Sequence, residues 1–570
     1  MKGILKFAFA VCLASVAGSA SVKAQTVTLN GLGSSGLFLE LGLGANAPTG
    51  AINASCVWSE NTNSAAANDT STGSTLSDKG SAWVAWTTGG GTCAVPGTGS
   101  QIYAYVSTDS VVGNRCLYNA NLSTGSKCSI SYPTTNPASN GIILGVSAEV
   151  PLPTIVATKL NSAVVNFAGT DIRPEDAEFA ITRALTNCGS VVGSSTQYLG
   201  LGYTNGSAIK TGITGSTSSF NVINFALPSN GFFVTPVGAT PIIVAVNDAA
   251  GTGLRAATNI TSQNLAFFLD GTTGTASGSP VTVYIREPLS GTYNTMEFNV
   301  PNRVGTLGGS FATSQDVGLN QPSSTQPPTT QPTNQRNCTV TSPWPVPATT
   351  PSTVLKNPLD FATTGGGVRL RAIGTGQELS SVVGNTSNSL GYGFWSGANF
   401  AGFSTVTSSA RYYTVDGVDP LGAAGVIPTT SSELASVSLA TTADGQYPIW
   451  SLLRLVNVGA TQNVAVADLS AAAQTFVTGG HPDFVTVANM LVVRSHFAPP
   501  AQTLTAANGS NKLGTSPNNA PSCTTAEAGG DVGGVVIGLK SASLTQSPLT
   551  KADQTVCQAG TLTGQTGSRR

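Results

Sequence analysis

The chain has 570 residues, enough for two or more domains with a substantial buried core. Only 9% of them are charged, against about 25% in an average soluble protein. Gly, Ser, Thr, Asn and Ala fill the difference, which argues against a helical bundle, while an apolar share of 40% in short clusters argues against simple disorder. The formal net charge of −1, with no basic patch, excludes the clustered Lys and Arg that nucleic-acid binding needs.

Residues 1–24 read as a signal peptide: Lys2 and Lys6, an apolar stretch from Phe7 to Ala20, and small residues around Val22-Lys-Ala24 before cleavage near Gln25. Cys12 lies inside the apolar stretch and not at the cleavage point, so a periplasmic or secreted product without a lipid anchor is expected. Eight cysteines then remain, Cys56, Cys93, Cys116, Cys128, Cys188, Cys338, Cys523 and Cys557, an even number that suggests disulfides in an exported chain. They allow 105 pairings. The simplest sequence-local set is 56–93, 116–128 and 523–557, leaving 188 to reach 338. Without Cys-x-x-Cys, and with His481 and His496 outside any zinc-like spacing, no metal site is expected.

In chain order, Thr26–Leu29 predicts a strand that enters a Gly-rich turn, followed by Leu37–Leu43. Residues 51–80 are Asn-, Ser- and Thr-rich and read as a surface excursion closed by Cys56 and Cys93. Gln101–Ser107 alternates as a strand does and runs into Asp109-Ser-Val-Val-Gly113, which has turn chemistry. Val164–Phe167 predicts a further strand closed by Ala168-Gly-Thr-Asp171. Arg173–Leu185 predicts a helix, with Pro174 and acidic residues in its first turn.

Pro241–Val246 is a continuous apolar run, as in a strand buried on both faces. Thr261–Asp270 predicts a short helix stopped by Gly271. Val281–Ile285 predicts a strand that delivers Arg286-Glu-Pro-Leu-Ser-Gly-Thr292, and Tyr293–Phe298 predicts the helix beyond it. Strands alternating with helices point to βαβ units. A Pro/Thr-rich stretch at 321–352 reads as an insertion or linker, and regular signals resume from Gly367 to about Phe497. The remainder is Gly- and Thr-rich with one weak strand at Val535–Leu539.

Binding a small oxyanion requires many N–H and O–H donors to replace lost hydration. Gly-rich turns at helix starts supply backbone N–H groups and a favourable dipole; Arg adds a forked charged donor. Four junctions carry these ingredients: Gly33-Ser-Ser-Gly36, Ser110-Val-Val-Gly113, Gly169-Thr-Asp171, and Arg286 with Ser290-Gly-Thr292. Each alone is weak: the first three read more readily as an ordinary turn or helix cap, whereas the last reads equally well as an anion site, because an apolar strand delivers it and a helix follows.

In combination they resemble the phosphate-binding substrate-binding proteins of ABC transporters. Arg-x-x-x-Ser-Gly-Thr resembles that family's oxyanion motif, Gly169-Thr-Asp171 its Gly-x-Ser-Asp turn, and Gly31-Leu-Gly-Ser-Ser35 its first Gly-rich loop. Stretches at Gly238–Asn247, Ile260–Gly271, Gly374–Glu378, Gly391–Gly393, Val415–Gly417 and Tyr447–Trp450 follow in the family's order. The resemblance covers about residues 26–500. It implies that phosphate touches Ser35, Gly36, Ser110, Asp171, Arg286, Ser290, Gly291 and Thr292, with Asp171 accepting the proton that hydrogen phosphate carries. The loop at Ser110 matches least well, and Pro288 interrupts the Arg286 loop.

The fold implied is α/β and two-lobed, with mixed sheets flanked by helices. Lobe one covers 25–230, with a disulfide-closed insertion at about 51–100, and returns over 405–500. Lobe two covers 231–404, with an insertion at about 315–355, and 501–570 form an appendage. The expected function is export and binding of inorganic phosphate by a monomer, with an inner-membrane ABC permease as candidate partner and with no catalysis and no cofactor. The competing readings are a structural or adhesive surface protein, or a phosphatase-like scavenger on the same scaffold.

Overall fold

The computed structural model describes residues 25–69, 76–121, 128–141, 149–172, 231–270, 273–286, 289–300, 367–372, 374–384, 388–397, 408–478, 483–490 and 492–494, with short pieces at 174, 177, 208–211, 217–219, 228, 361–362 and 536–539. The signal-peptide segment, the Pro/Thr-rich stretch, Cys188, Cys338, Cys523, Cys557, Glu287, Pro288, Gly271 and both histidines lie outside the described residues, as do 501–570 apart from 536–539.

The first elements are β1 (Thr26–Ser34), α1 (Phe38–Asn46), β2 (Cys56–Asp69), β3 (Leu76–Trp86), β4 (Gln101–Thr108), α2 (Ser110–Ala120), β5 (Cys128–Ser131), α3 (Thr154–Asn161) and β6 (Phe167–Thr170). Then come β7 (Phe232–Asn247), α4 (Ser262–Asp270), β8 (Thr282–Arg286), α5 (Gly291–Asn299), β9 (Val368–Ala372), α6 (Gly374–Val383) and β10 (Ser389–Phe394). The chain closes with β11 (Ala410–Tyr412), β12 (Trp450–Val458), α7 (Val464–Thr478) and β13 (Val485–Thr486). The protein is therefore a mixed α/β structure with a large mixed sheet flanked by helices.

The strand order runs β9-β8-β10-β7-β12-β6-β1-β4-β3-β2-β5, with β11 and β13 also on β7. On one side β1 pairs in parallel with β4 and β6, the arrangement that βαβ crossovers produce. On the other, β8 pairs in parallel with β9 and β10. The two wings meet on β7. Phe232–Pro241 of β7 pair antiparallel with β12, and Ile242–Asn247 pair antiparallel with β10.

The sequence of β7, Phe-Phe-Val-Thr-Pro-Val-Gly-Ala-Thr-Pro-Ile-Ile-Val-Ala-Val-Asn, explains why it can lie at the centre. Nearly every residue is buried, and β-branched side chains dominate its second half. A proline gives no ladder donor. Pro236 falls beside the register shift opposite Leu453 and Arg454, and Pro241 falls where the partner changes from β12 to β10. The Pro241 carbonyl still accepts from Trp395 N at 2.9 Å.

Four local expectations change. Residues 51–80 are not a surface excursion: β2 and β3 form a long antiparallel hairpin that extends the sheet, with Trp58, Trp83 and Trp86 fully buried. Ala65 and Ala67 are buried while Ala66 and Asn68 are half-buried, so small polar composition concealed a period-2 pattern. Asp109–Gly113 is not a turn but the N-cap and first turn of α2. Gly31–Ser34 continue β1, and a 3-10 turn follows at Ser35–Leu37. The strand expected at Val164–Phe167 begins only at Phe167. Of the helix expected at Arg173–Leu185, only Pro174 and Ala177 are described, both helical.

Among the described residues two disulfides are formed, Cys56–Cys93 and Cys116–Cys128, with Cα separations of 5.5 and 5.1 Å. The first ties the start of β2 to the loop before β4; the second ties α2 to β5. Closing loops of 37 and 12 residues stabilises each by roughly 3–4 kcal/mol through the unfolded state. Such bonds persist in oxidising compartments. Among the described residues no helix is long and apolar enough to cross a membrane.

Candidate functional site

The C-terminal ends of the parallel strands face one another across the junction of the two wings. In open α/β sheets that edge is where ligands bind. From the first wing come Ser35 after β1, Asp109 and Ser110 after β4, and Asp171 after β6. From the second come Arg286 at the end of β8, Ser290–Thr292 at the start of α5, and Thr375 at the start of α6.

Arg286 is the cation of the cluster and is only 1% exposed. A buried charge needs partners. Its Nη1 donates to Thr375 Oγ1 at 2.6 Å and to Thr292 Oγ1 at 3.3 Å. Its Nη2 lies 3.7 Å from Asp109 Oδ1 and its Nε 3.8 Å from Glu378 Oε2, distances of charge proximity and not of hydrogen bonding. The Thr375 hydroxyl also meets Ser35 Oγ at 3.2 Å, which joins the two wings through side chains.

Asp171 is 1% exposed and anchors the opposite side. Ser110 Oγ donates to Asp171 Oδ1, and the Asp171 backbone N–H points at the same hydroxyl at 3.3 Å. Asn114 on α2 fixes Ser110 by donating to its carbonyl at 3.0 Å. Burial pushes the Asp171 carboxyl up to about 6, against the opposing pull of the Ser110 hydrogen bond and the charges of Arg286 and Arg454. Arg454 Nη1 and Ser451 Oγ, both from β12, donate to the Asp171 carbonyl, the former at 3.4 Å.

The elements approach closely because glycine stands at the end of β1 and at the start of α5. Gly33 has φ +140°, and a Cβ there would sit 2.0 Å from the Gly169 carbonyl oxygen of the neighbouring strand. A Cβ at Gly291 would lie 1.5 Å from Asp171 Oδ1, so the carboxylate rests directly on the first turn of α5. Ser290 caps that helix by accepting from Tyr293 N at 3.3 Å.

All eight residues singled out from the sequence lie at this strand-end edge. Direct contacts connect Ser35 and Arg286 through Thr375, Thr292 to Arg286 itself, and Ser110 and Gly291 through Asp171. Ser110, the poorest motif match, has one of the tightest placements. Gly36 contributes least, since its N–H is held by Ser34 Oγ at 3.1 Å. Sequence reasoning missed Asp109, Thr375, Glu378 and Arg454. A charged residue inside the apolar run Trp450–Val458 was a readable signal for Arg454; the other three lie in stretches noted only as loops or landmarks. A separate surface cavity of ≈ 400 Å³, lined by Arg255, Arg411 and Glu433 among others, belongs to the far end of β7, where Arg411 pairs with Val246. Among the described residues no His, Cys, Asp and Glu cluster could hold a metal ion.

No protein-family model matches the sequence, and no curated protein matches it. Several solved structures show remote likeness. An ABC-type phosphate transport receptor from Vibrio cholerae is 12% identical with a TM-score of 0.24, covering 60% of this chain and 88% of that one. A phosphate binding protein from Stenotrophomonas maltophilia is 13% identical with a TM-score of 0.29, covering 66% and 76%. PstS from Borrelia burgdorferi is 14% identical with a TM-score of 0.24, covering 46% and 76%. At these values the likeness carries no functional argument, and what the site does has to be reasoned from its own residues.

Proposed function

We propose that the chain is an exported binding protein for inorganic phosphate, acting as the receptor of an uptake system that hands phosphate to an inner-membrane permease. The observation that carries this reading is Asp171, a buried carboxyl pushed up to about 6 that shares a cluster with Arg286, three hydroxyl side chains and the start of α5. Arg286, Thr292 and Ser290 supply donors for an oxyanion, and a helix start favours negative charge. Asp171 supplies an acceptor, which suits an anion that still bears a proton and repels one that does not.

On this reading 25–230 with 405–500 form one lobe and 231–404 the other, and phosphate is held between them. Contacts made only in the closed arrangement would shift the balance between open and closed forms. No nucleophile–base pair is needed for this role, and none is invoked.

Calorimetry of the purified protein with phosphate, arsenate and sulfate tests the reading. Phosphate and arsenate are expected to bind and sulfate to bind far more weakly. Arg286→Ala is expected to weaken phosphate at least about 100-fold, the scale for removing a buried charged donor. A wild-type protein that gives no heat with phosphate overturns the proposal. Turnover of a phosphate ester by the same preparation would replace it with the phosphatase-like reading.

A further inference from the structure

Arg286 is surrounded by acid more than by base. Asp109 and Glu378 both lie within 4 Å of its guanidinium, and Asp171 stands close enough to feel its charge. Glu378 is the least expected of the three. It is fully buried on α6, a helix that none of the sequence motifs for anion binding includes.

Its orientation is fixed from two directions. Glu378 Oε1 accepts from Tyr392 N on β10 at 2.9 Å, and Tyr392 Oη in turn accepts from Arg286 N at 3.3 Å. Glu378 Oε2 faces the Nε edge of Arg286 at 3.8 Å. Thr375 sits three residues earlier, on the same face of α6, and takes Nη1 at 2.6 Å. One helix therefore holds the guanidinium along two edges, by charge at Nε and by a hydroxyl at Nη1.

We propose that Glu378 is a positioning residue of the anion site: it fixes the plane of Arg286 and offsets its charge, so that the site holds a dianion less tightly than an unopposed guanidinium would. This inference rests on the anion-binding reading above. A guanidinium without nearby acid attracts any dianion strongly; one flanked by carboxylates attracts each of them less, because the fixed negative charge repels hydrogen phosphate and sulfate alike. Asp171 supplies the acceptor that tells a protonated oxyanion from an ionised one, and Glu378 sets the strength with which Arg286 holds either.

Glu378→Gln tests this directly, because the amide oxygen still accepts from Tyr392 N while the charge is removed. Phosphate and sulfate affinities are measured by calorimetry at pH 8 for wild type and variant, with thermal melting alongside. The expected result is a gain of roughly tenfold in affinity for phosphate, with sulfate gaining in parallel. Glu378→Asp, which withdraws the charge by one methylene, is expected to raise affinity the same way by about threefold and serves if the glutamine variant does not fold. Affinities unchanged within twofold or weakened, with only a lower melting temperature alongside, make Glu378 a structural residue and overturn the inference while leaving phosphate binding intact. Wild type that binds neither anion overturns both.

Discussion

Asp171 combines burial, a hydroxyl donor and a neighbouring arginine, and its elevated affinity for a proton has a consequence for stability. The folded carboxyl titrates at about 6 against an ordinary 3.8, so below 3.8 it is protonated in both folded and unfolded chains and costs nothing. As pH rises through that window the unfolded chain ionises first, and stability falls by roughly 3 kcal/mol before levelling above 6. Asp171→Asn is expected to lose this slope: compared with wild type its urea midpoint should gain more at pH 7 than at pH 3.5. Equal differences at the two pH values would count against the assignment. The residues legible in the sequence were those whose chemistry is local, such as Arg286 four positions before Ser290 at a strand end. Thr375 and Glu378 were not legible as site residues, because their contact with Arg286 comes from the pairing of β8 with β9, which sets Arg286 opposite Ala372 just before α6, and spans 89 residues of chain in the case of Thr375.

Helix α2 shows how packing overrides propensity. Ser110-Val-Val-Gly113 is a poor helix start by composition, since β-branched residues and glycine disfavour the state. Yet all of α2 is buried, and Gly113 packs so closely on β1 that a Cβ would lie 2.7 Å from Gly33 Cα and from the Leu32 carbonyl oxygen. Gly113→Ala would raise intrinsic helix propensity by about 1 kcal/mol, but the clash is expected to dominate and lower stability by roughly 1–3 kcal/mol in urea unfolding. A stabilised variant would show that α2 has room to shift. The same conflict explains why the hairpin β2–β3 was unreadable: small and hydroxyl residues that elsewhere mean loop are here inserted between neighbouring strands.

Across the whole molecule, the clearest legible feature was β7, whose apolar run announced a doubly buried strand. What the sequence did not reveal was how the chain is stitched beside it. Thr240 Oγ1 lies 3.1 and 3.0 Å from the carbonyl oxygens of Trp395 and Asp483, which share its one proton, while the adjoining Ser396 and Gly397 donate to Glu40 and Asp483. Burial, and then the charge and hydrogen bond of Asp483, raise the Glu40 carboxyl well above 4.5. A carboxyl raised in the folded state stabilises at low pH and loses that contribution as pH climbs past 4.5 toward its folded value. Glu40→Gln is therefore expected to flatten the decline of melting temperature between pH 4.5 and 8; an unaltered decline would show that folding does not raise the Glu40 carboxyl.

Because β7 lends its first ten residues to one wing and its last six to the other, neither wing owns a complete sheet. A cut anywhere along Phe232–Asn247 leaves two pieces with raw backbone edges. The molecule should thus melt as one calorimetric unit, and its wings should resist expression as separate fragments. Any opening of the site then has to be a flexing of shared backbone near Pro241, not a parting of two independently folded bodies.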